Sequence, residues 1–180
     1  MTTERPINVL VVEDNPEDTQ AIQTVLADDK TIPCTVTCAE ALAAGLRQVK
    51  DGTFDVVLLD LKLPDSGGIE TLVKMRQQAP EVAIVVLTAS EEEWLSTQAL
   101  QRGAQDYLVK GYIQVYPNLL QRAMRYAIDR KRSEEHLKQE QTQRTQLNRA
   151  VSGQEEQITT LKDEIDLLLK QLGKPPKYRA

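Results

Sequence analysis

The sequence is poor in histidine, in cysteine and in long apolar runs, and each shortage closes off a class of function. His136 is the one histidine among 180 residues. It sits in Glu134-Glu135-His136-Leu137 on a predicted helix, where it reads as a solvated side chain and lacks the surroundings of a kinase phosphoacceptor. The two cysteines, Cys34 and Cys38, lie at i, i+4 on the same face of a predicted strand, too far apart for an easy disulfide. With no second ligand pair they read as small apolar residues rather than as a metal or redox site. No window reaches the length of a membrane span, and Met1 to Pro6 has no basic segment leading into an apolar one, so a cytoplasmic protein is expected. No helix-turn-helix, zinc module or cyclase motif is present. Arg122, Arg125, Arg130, Lys131 and Arg132 fall on several helix faces without interleaved aromatics, which argues against nucleic-acid binding. Trp94 reads as a packing or interface residue.

What is present is ordinary for a globular protein with one core: 41% hydrophobic and 27% charged residues. The charge is uneven. Up to Tyr116 there are 9 Lys and Arg against 18 Asp and Glu, leaving 13 against 9 for the rest of the chain.

Phe54-Asp55-Val56-Val57-Leu58-Leu59-Asp60-Leu61-Lys62-Leu63-Pro64 is a continuous apolar run ending at a carboxylate, then broken by proline. It reads as a buried parallel strand delivering Asp60 to the end of a sheet, with Asp55 an ordinary strand-entry residue. Four further strands are predicted. Ile7 to Val12 is closed by Glu13-Asp14-Asn15-Pro16, Cys34 to Cys38 is short, Val82 to Thr88 ends in a hydroxyl, and Tyr107 to Lys110 ends in a cation. Helices alternate with them: one opened by Pro16 with Asn15 or Asp14 as cap, one over Ala41 to Val49 ended near Asp51-Gly52, and one from Ile69 to Gln78 stopped by Pro80. A fourth is opened by a capping box at Ser90-Glu91-Glu92-Glu93 and stopped by Gly103. Nearly continuous apolar strands alternating with helices predict a doubly wound, five-stranded parallel sheet covered on both faces.

From Pro117 strand signals stop. With position a at Leu137, Arg144, Val151, Ile158, Ile165 and Leu172, position d falls on Glu140, Leu147, Gln154, Leu161 and Leu168. The β-branched residues at a and leucines at d predict a parallel two-stranded coiled coil, hence a homodimer held by Leu147, Val151, Ile158, Leu161, Ile165, Leu168 and Leu172. The same register passes upstream through Leu119, Ala123, Tyr126 and Arg130, so the last helix of the domain is expected to run into this stalk for roughly 80 Å. Ser152-Gly153 is a soft spot of about 1 kcal/mol. The expected division is a domain over 5–130, a coiled-coil helix over 131–172 and a disordered tail over 173–180.

Glu13, Asp14, Asp60, Thr88 and Lys110 all fall at C-terminal strand ends. Three converging carboxylates repel one another, and a hard divalent cation such as Mg²⁺ relieves this. Adding a lysine and a hydroxyl gives what a phosphoryl transfer to a carboxylate nucleophile requires.

Val11-Val12-Glu13-Asp14, Leu59-Asp60-Leu61-Lys62-Leu63-Pro64, Leu87-Thr88-Ala89 and Asp106-Tyr107-Leu108-Val109-Lys110, in that order and spacing, resemble the response regulator receiver domain over about residues 5–130. The resemblance implies a flavodoxin-like (β/α)5 fold and a phosphoacceptor signalling protein rather than an enzyme. It further implies that Asp60 accepts phosphoryl from a sensor histidine kinase or phosphotransfer protein, and that Asp14, Asp60 and the Lys62 backbone carbonyl hold Mg²⁺, with Glu13 assisting through water. Lys110 would bind phosphoryl oxygens, and Thr88 and Tyr107 would form the switch. The output would be coiled-coil dimer geometry or partner binding. Gly111 departs from the family's usual proline after the lysine, making a cis bond there unexpected, and Lys62 adds a cation beside the acceptor; Lys62 and Ser90 are expected to set the lifetime of the phosphorylated state. Two other readings of the same residues are a constitutive dimeric scaffold with a non-cycling receiver and an N-terminal regulatory fragment of a larger signalling enzyme. A haloacid-dehalogenase-like phosphatase would want an aspartate at Lys62, and a flavin site would want a phosphate-cradling loop after the first strand.

Overall fold

A computed structural model describes residues 5–28, 33–89, 93–175 and 177–178. The chain divides into two compact units, Met1–Glu134 and Glu135–Ala180.

In the first unit, β1 (Ile7–Val12), β2 (Cys34–Ala39), β3 (Val56–Asp60), β6 (Ala83–Thr88) and β7 (Asp106–Val109) form one sheet in the order β2-β1-β3-β6-β7. Every pairing in it is parallel. β4 (Lys62–Leu63) and β5 (Ser66–Gly67) make a small antiparallel hairpin just after β3. The flavodoxin-like order reverses direction between β1 and β3, and in such sheets the crevice at that reversal is where ligands bind.

The apolar strands are continuous because both faces are covered. Along β1, β3 and β6 alternate residues turn to opposite sides. Val9, Val11, Val56, Leu58, Val85 and Leu87 pack with α1 (Pro16–Ala27) and the start of α6 (Pro117–Gln171). Leu10, Val12, Val57, Leu59, Ile84 and Val86 pack with α2 (Leu42–Asp51), α3 (Ile69–Gln78) and α4 (Glu93–Gln101). These strand residues are fully buried, each stabilising by about 1.5–3 kcal/mol relative to exposure.

Local chemistry sets the helix ends. Asn15 caps α1, its side-chain oxygen accepting the N–H groups of Glu17 (2.8 Å) and Asp18 (3.3 Å), with Pro16 at the first helical position. No residue of α2's own segment caps it. The Asp65 carboxylate, from the β4–β5 hairpin, instead accepts the N–H groups of Leu42 and Ala43 at 2.8 Å each, and these bonds hold its carboxyl below the usual value of 3.8. Gly103, two residues beyond α4, has φ 96°, a conformation that a residue with a Cβ rarely adopts. The proposed capping box at 90–93 lies outside the described residues, apart from the helical backbone of Glu93. Lys110 and Gly111 lead into a short helix, α5 (Gly111–Val115), and no cis peptide occurs among the described residues.

Asp55, just ahead of β3, is more than a strand-entry residue. It accepts the Arg5 guanidinium at 2.5 Å and the Asn8 backbone N–H at 3.0 Å, fixing the β1 and β3 starts together. At the starts of β6 and β7, Arg76 of α3 donates to the Val82 carbonyl (2.9 Å), to the Gln105 side chain (2.7 Å) and to the Gly103 carbonyl. Buried Gln105 also accepts the Ile84 N–H at 2.8 Å.

α6 is 55 residues long. In its first part Leu120, Ala123, Met124, Ala127 and Ile128 are buried in the sheet core. The second unit is the rest of this helix with its C-terminal segment, and the helix passes through Gly153 unbroken. Leu147, Val151, Ile158, Leu161, Ile165, Leu168 and Leu172 are all exposed along it. Past the helix end, Asp166 accepts the backbone N–H groups of Lys177 (2.6 Å) and Tyr178 (3.1 Å). Asp166 holds register position b, so this tie leaves the a and d residues uncovered. No helix among the described residues is long and apolar enough to cross a membrane.

Candidate functional site

The C-terminal ends of β1, β3, β6 and β7 enclose a cleft of about 450 Å³, lined among others by Glu13, Asp14, Asp60, Lys62, Thr88 and Lys110. The sheet order places it at the reversal between β1 and β3. Six residues singled out in the sequence thus meet in one place, although Glu13 and Lys110 are almost a hundred positions apart.

Asp60 is the last residue of β3, only 5% exposed. Its Oδ2 accepts from Lys110 Nζ at 2.8 Å and its Oδ1 from the Lys62 backbone N–H at 3.1 Å. Glu13, continuing from β1, is buried; its Oε2 lies 2.5 Å from Lys110 Nζ and its Oε1 accepts the Asn15 N–H at 3.2 Å. Asp14, next in the chain, is exposed. Burial pushes the Glu13 carboxyl above its usual 4.5, with Lys110 pulling against it and the Asp60 charge adding to the rise. Burial alone would push the Lys110 ammonium down, but its hydrogen bonds to Asp60 and Glu13 more than reverse that and hold it above 10.5.

Each position follows from local chain geometry. β7 is anchored beside β6 by the Lys110 N–H donating to the Thr88 carbonyl at 2.8 Å, so the lysine and the hydroxyl-bearing residue stand side by side at the strand ends. Thr88 is buried. Tyr107 lies two residues inside β7, opposite Val86, half-buried on the α2–α3–α4 side of the core and not on the cleft wall. Ser90 lies outside the described residues. One residue that sequence reasoning missed joins the cleft: Asp18, in the first turn of α1, reaches Lys110 Nζ at 3.1 Å. Its signal is available in retrospect, since Asn15 caps the helix and Asp18 falls three residues on, where the first turn faces back to the strand ends.

One carboxylate oxygen each from Glu13, Asp14 and Asp60 lies within 4.8 Å of the others. Such a group of hard oxygen donors, with solvent on the Asp14 side for water ligands, suits Mg²⁺, which binds through one or two carboxylates and keeps several waters.

A family model described as the response regulator receiver domain matches residues 9–123. Among curated relatives, the chain is 36% identical over 105 residues to the response regulator GacA of Pseudomonas syringae pv. syringae, covering 58% of this chain and 49% of the relative. It is 39% identical over 105 residues to the KDP operon transcriptional regulatory protein KdpE of Escherichia coli, covering 58% and 45%. The chain thus spans about half the length of the curated relatives it matches. Among solved structures, a response regulator receiver domain protein from Clostridium thermocellum is 29% identical with a TM-score of 0.60, covering 70% of this chain and 97% of that one. The signal receiver domain of an HD domain-containing protein from Pseudomonas fluorescens is 25% identical with a TM-score of 0.64, covering 76% and 96%.

Proposed function

Because the chain belongs to the response regulator receiver domain family, we propose that it is a phosphorylation-controlled signalling protein in which Asp60 takes a phosphoryl group from the phosphohistidine of a sensor kinase or phosphotransfer protein. The observation that carries this reading is the bond from Lys110 Nζ to Asp60 at 2.8 Å, in an acidic cleft at the topological switch point. An Asp60 carboxylate oxygen forms the new bond to phosphorus as the bond from phosphorus to the donor's imidazole nitrogen breaks, and that nitrogen keeps the electron pair. Lys110, already poised on the acceptor carboxylate, follows the charge to the phosphoryl oxygens, and Thr88 supplies a hydroxyl donor from the neighbouring strand end.

Receiver domains bind Mg²⁺ at an acidic pocket. Here Asp14, Asp60 and the Lys62 carbonyl would hold it, with Glu13 assisting through water, and the ion would offset the crowded carboxylates and the charge of the transferred group. The phosphoryl adds charge and three acceptor oxygens, shifting a pre-existing equilibrium at Thr88 and Tyr107. The output is the geometry or pairing of a parallel coiled-coil homodimer built on Leu147, Val151, Ile158, Leu161, Ile165, Leu168 and Leu172, read by a downstream protein in the cytoplasm. The exposure of all seven side chains in the single chain supports this part. No catalytic turnover beyond self-catalysed phosphotransfer and autodephosphorylation is assigned.

Size-exclusion chromatography with light scattering, with and without beryllofluoride and Mg²⁺, tests the coupling. A change in mass or hydrodynamic radius in the wild type and none in Asp60→Ala is expected; indifference of the wild type contradicts it. Lys62, whose side chain is exposed beside the acceptor, sets the lifetime of the phosphorylated state together with Ser90. Lys62→Ala is expected to change the dephosphorylation rate, and an unchanged rate removes Lys62 from this role.

A further inference from the structure

Lys110 has three N–H donors, and among the described residues its Nζ meets three carboxylates: Glu13 at 2.5 Å, Asp60 at 2.8 Å and Asp18 at 3.1 Å. The three are not equivalent. The Glu13 side chain is fully buried and the Asp60 side chain nearly so, whereas that of Asp18 is 35% exposed and makes the longest contact. Asp18 is also outside the trio of oxygens gathered for a cation.

Glu13 and Asp60 suffice to place the lysine. They are the closer pair, they come from two different strand ends, and the Lys110 backbone is fixed to Thr88. The hydrogen bond to Asp18 therefore occupies a donor that the lysine does not need for its placement, and it adds a negative charge at the mouth of a site that must receive a phosphoryl group. Once Asp60 carries that group, its oxygens need Lys110 donors, and Asp18 is the partner most easily given up: partly exposed, on a helix rather than a strand end, and able to turn to water.

We propose that Asp18 is a positioning residue that competes with the phosphoryl group for a donor of Lys110, weakening the hold of the cleft on the bound group. This rests on the reading of Asp60 as the phosphoacceptor. The bond between Asp18 and Lys110 is a partly exposed ion pair, a class worth about 0.2–1 kcal/mol, so releasing it changes affinity by roughly up to fivefold.

The test is calorimetric titration of the full chain with beryllofluoride at saturating Mg²⁺, on the wild type, Asp18→Ala, Asp18→Asn and Glu17→Gln. Glu17 shares the first turn of α1 and its charge, but it lies outside the set of carboxylates that Lys110 meets. Asp18→Ala is expected to bind about two- to fivefold more tightly than the wild type, and the isosteric Asp18→Asn to shift the same way, while Glu17→Gln matches the wild type. A loss of structure would weaken binding, not tighten it. Binding by Asp18→Ala and Asp18→Asn that equals or falls below the wild type overturns the proposal, as does equal tightening in Glu17→Gln, which would make the effect one of general charge. If the wild type binds no beryllofluoride, the phosphoacceptor reading fails and the proposal falls with it.

Discussion

Glu13 is a carboxylate with no exposed side-chain surface, and it remains tolerable because an ammonium group stands 2.5 Å away. The Lys110→Met substitution removes that ammonium and leaves Glu13 buried beside another carboxylate. A loss of about 3 kcal/mol at pH 7 is expected by urea unfolding, in the range for breaking a buried pair. The pH dependence follows from the directions of the shifts. Glu13 already titrates above 4.5 in the folded state, and without Lys110 it rises further. The extra cost is therefore fully present above that raised value, and it fades as pH falls to 4.5 and below, where folded and unfolded chains come to carry the same proton. In the wild type the Lys110 contribution has the opposite edge: it is fully present below 10.5 and is lost as pH rises through the raised folded value. A deficit in Lys110→Met that is equal at pH 7 and pH 4.5 would contradict this. At this scale the sequence was legible where a carboxylate, hydroxyl or amine ends an apolar strand, because the sheet carries all such ends to one edge. Asp65, Arg76 and Gln105 were not legible, because each acts through a bond to a distant segment, and no local period or motif marks such a bond.

Among the elements, β1, α3 and β6 match their expected spans to within a residue, because period and punctuation agree there: apolar runs bounded by Pro, Gly or a charged turn. The short α5 and the β4–β5 hairpin were missed. Both are brief, and the hairpin is fixed by Asp65 reaching across to the bare N-terminus of α2. The packing of α2 on β1 depends on Gly45, where an added Cβ would stand 2.8 Å from a Val12 methyl and 3.4 Å from the Met75 methyl. Gly45→Ala gains about 1 kcal/mol of helix propensity but forces the fully buried Val12 side chain to shift against its neighbours, at a cost of about 1–3 kcal/mol. A net loss of stability is expected in thermal unfolding. Because Val12 directly precedes Glu13, weaker Mg²⁺ binding should accompany it; a variant at least as stable as the wild type would show that α2 can move away freely.

For the whole molecule, the proposed homodimer rests on the heptad pattern and on the exposed apolar row in the second half of α6, which a second copy would meet in the same register. Ile158→Asp combined with Leu161→Asp places four like charges in the middle of that seam and is expected to halve the mass seen by light scattering at micromolar concentration while leaving the first unit folded. An unchanged mass would locate dimerisation elsewhere or exclude it. The long helix was legible from its period alone. The tie from Asp166 to Lys177 and Tyr178 was not, since Gly173-Lys174-Pro175-Pro176 reads locally only as a helix stop.

Whether Asp60 is the phosphoacceptor of a working receiver is settled most simply by intact-mass spectrometry. The full chain is incubated with acetyl phosphate and Mg²⁺ and quenched in acid, with wild type and Asp60→Asn in parallel. The mass gain of one phosphoryl group is expected in the wild type, removed by hydroxylamine as an acyl phosphate must be, and no gain in Asp60→Asn. No gain in the wild type, or the same gain in both chains, would contradict it.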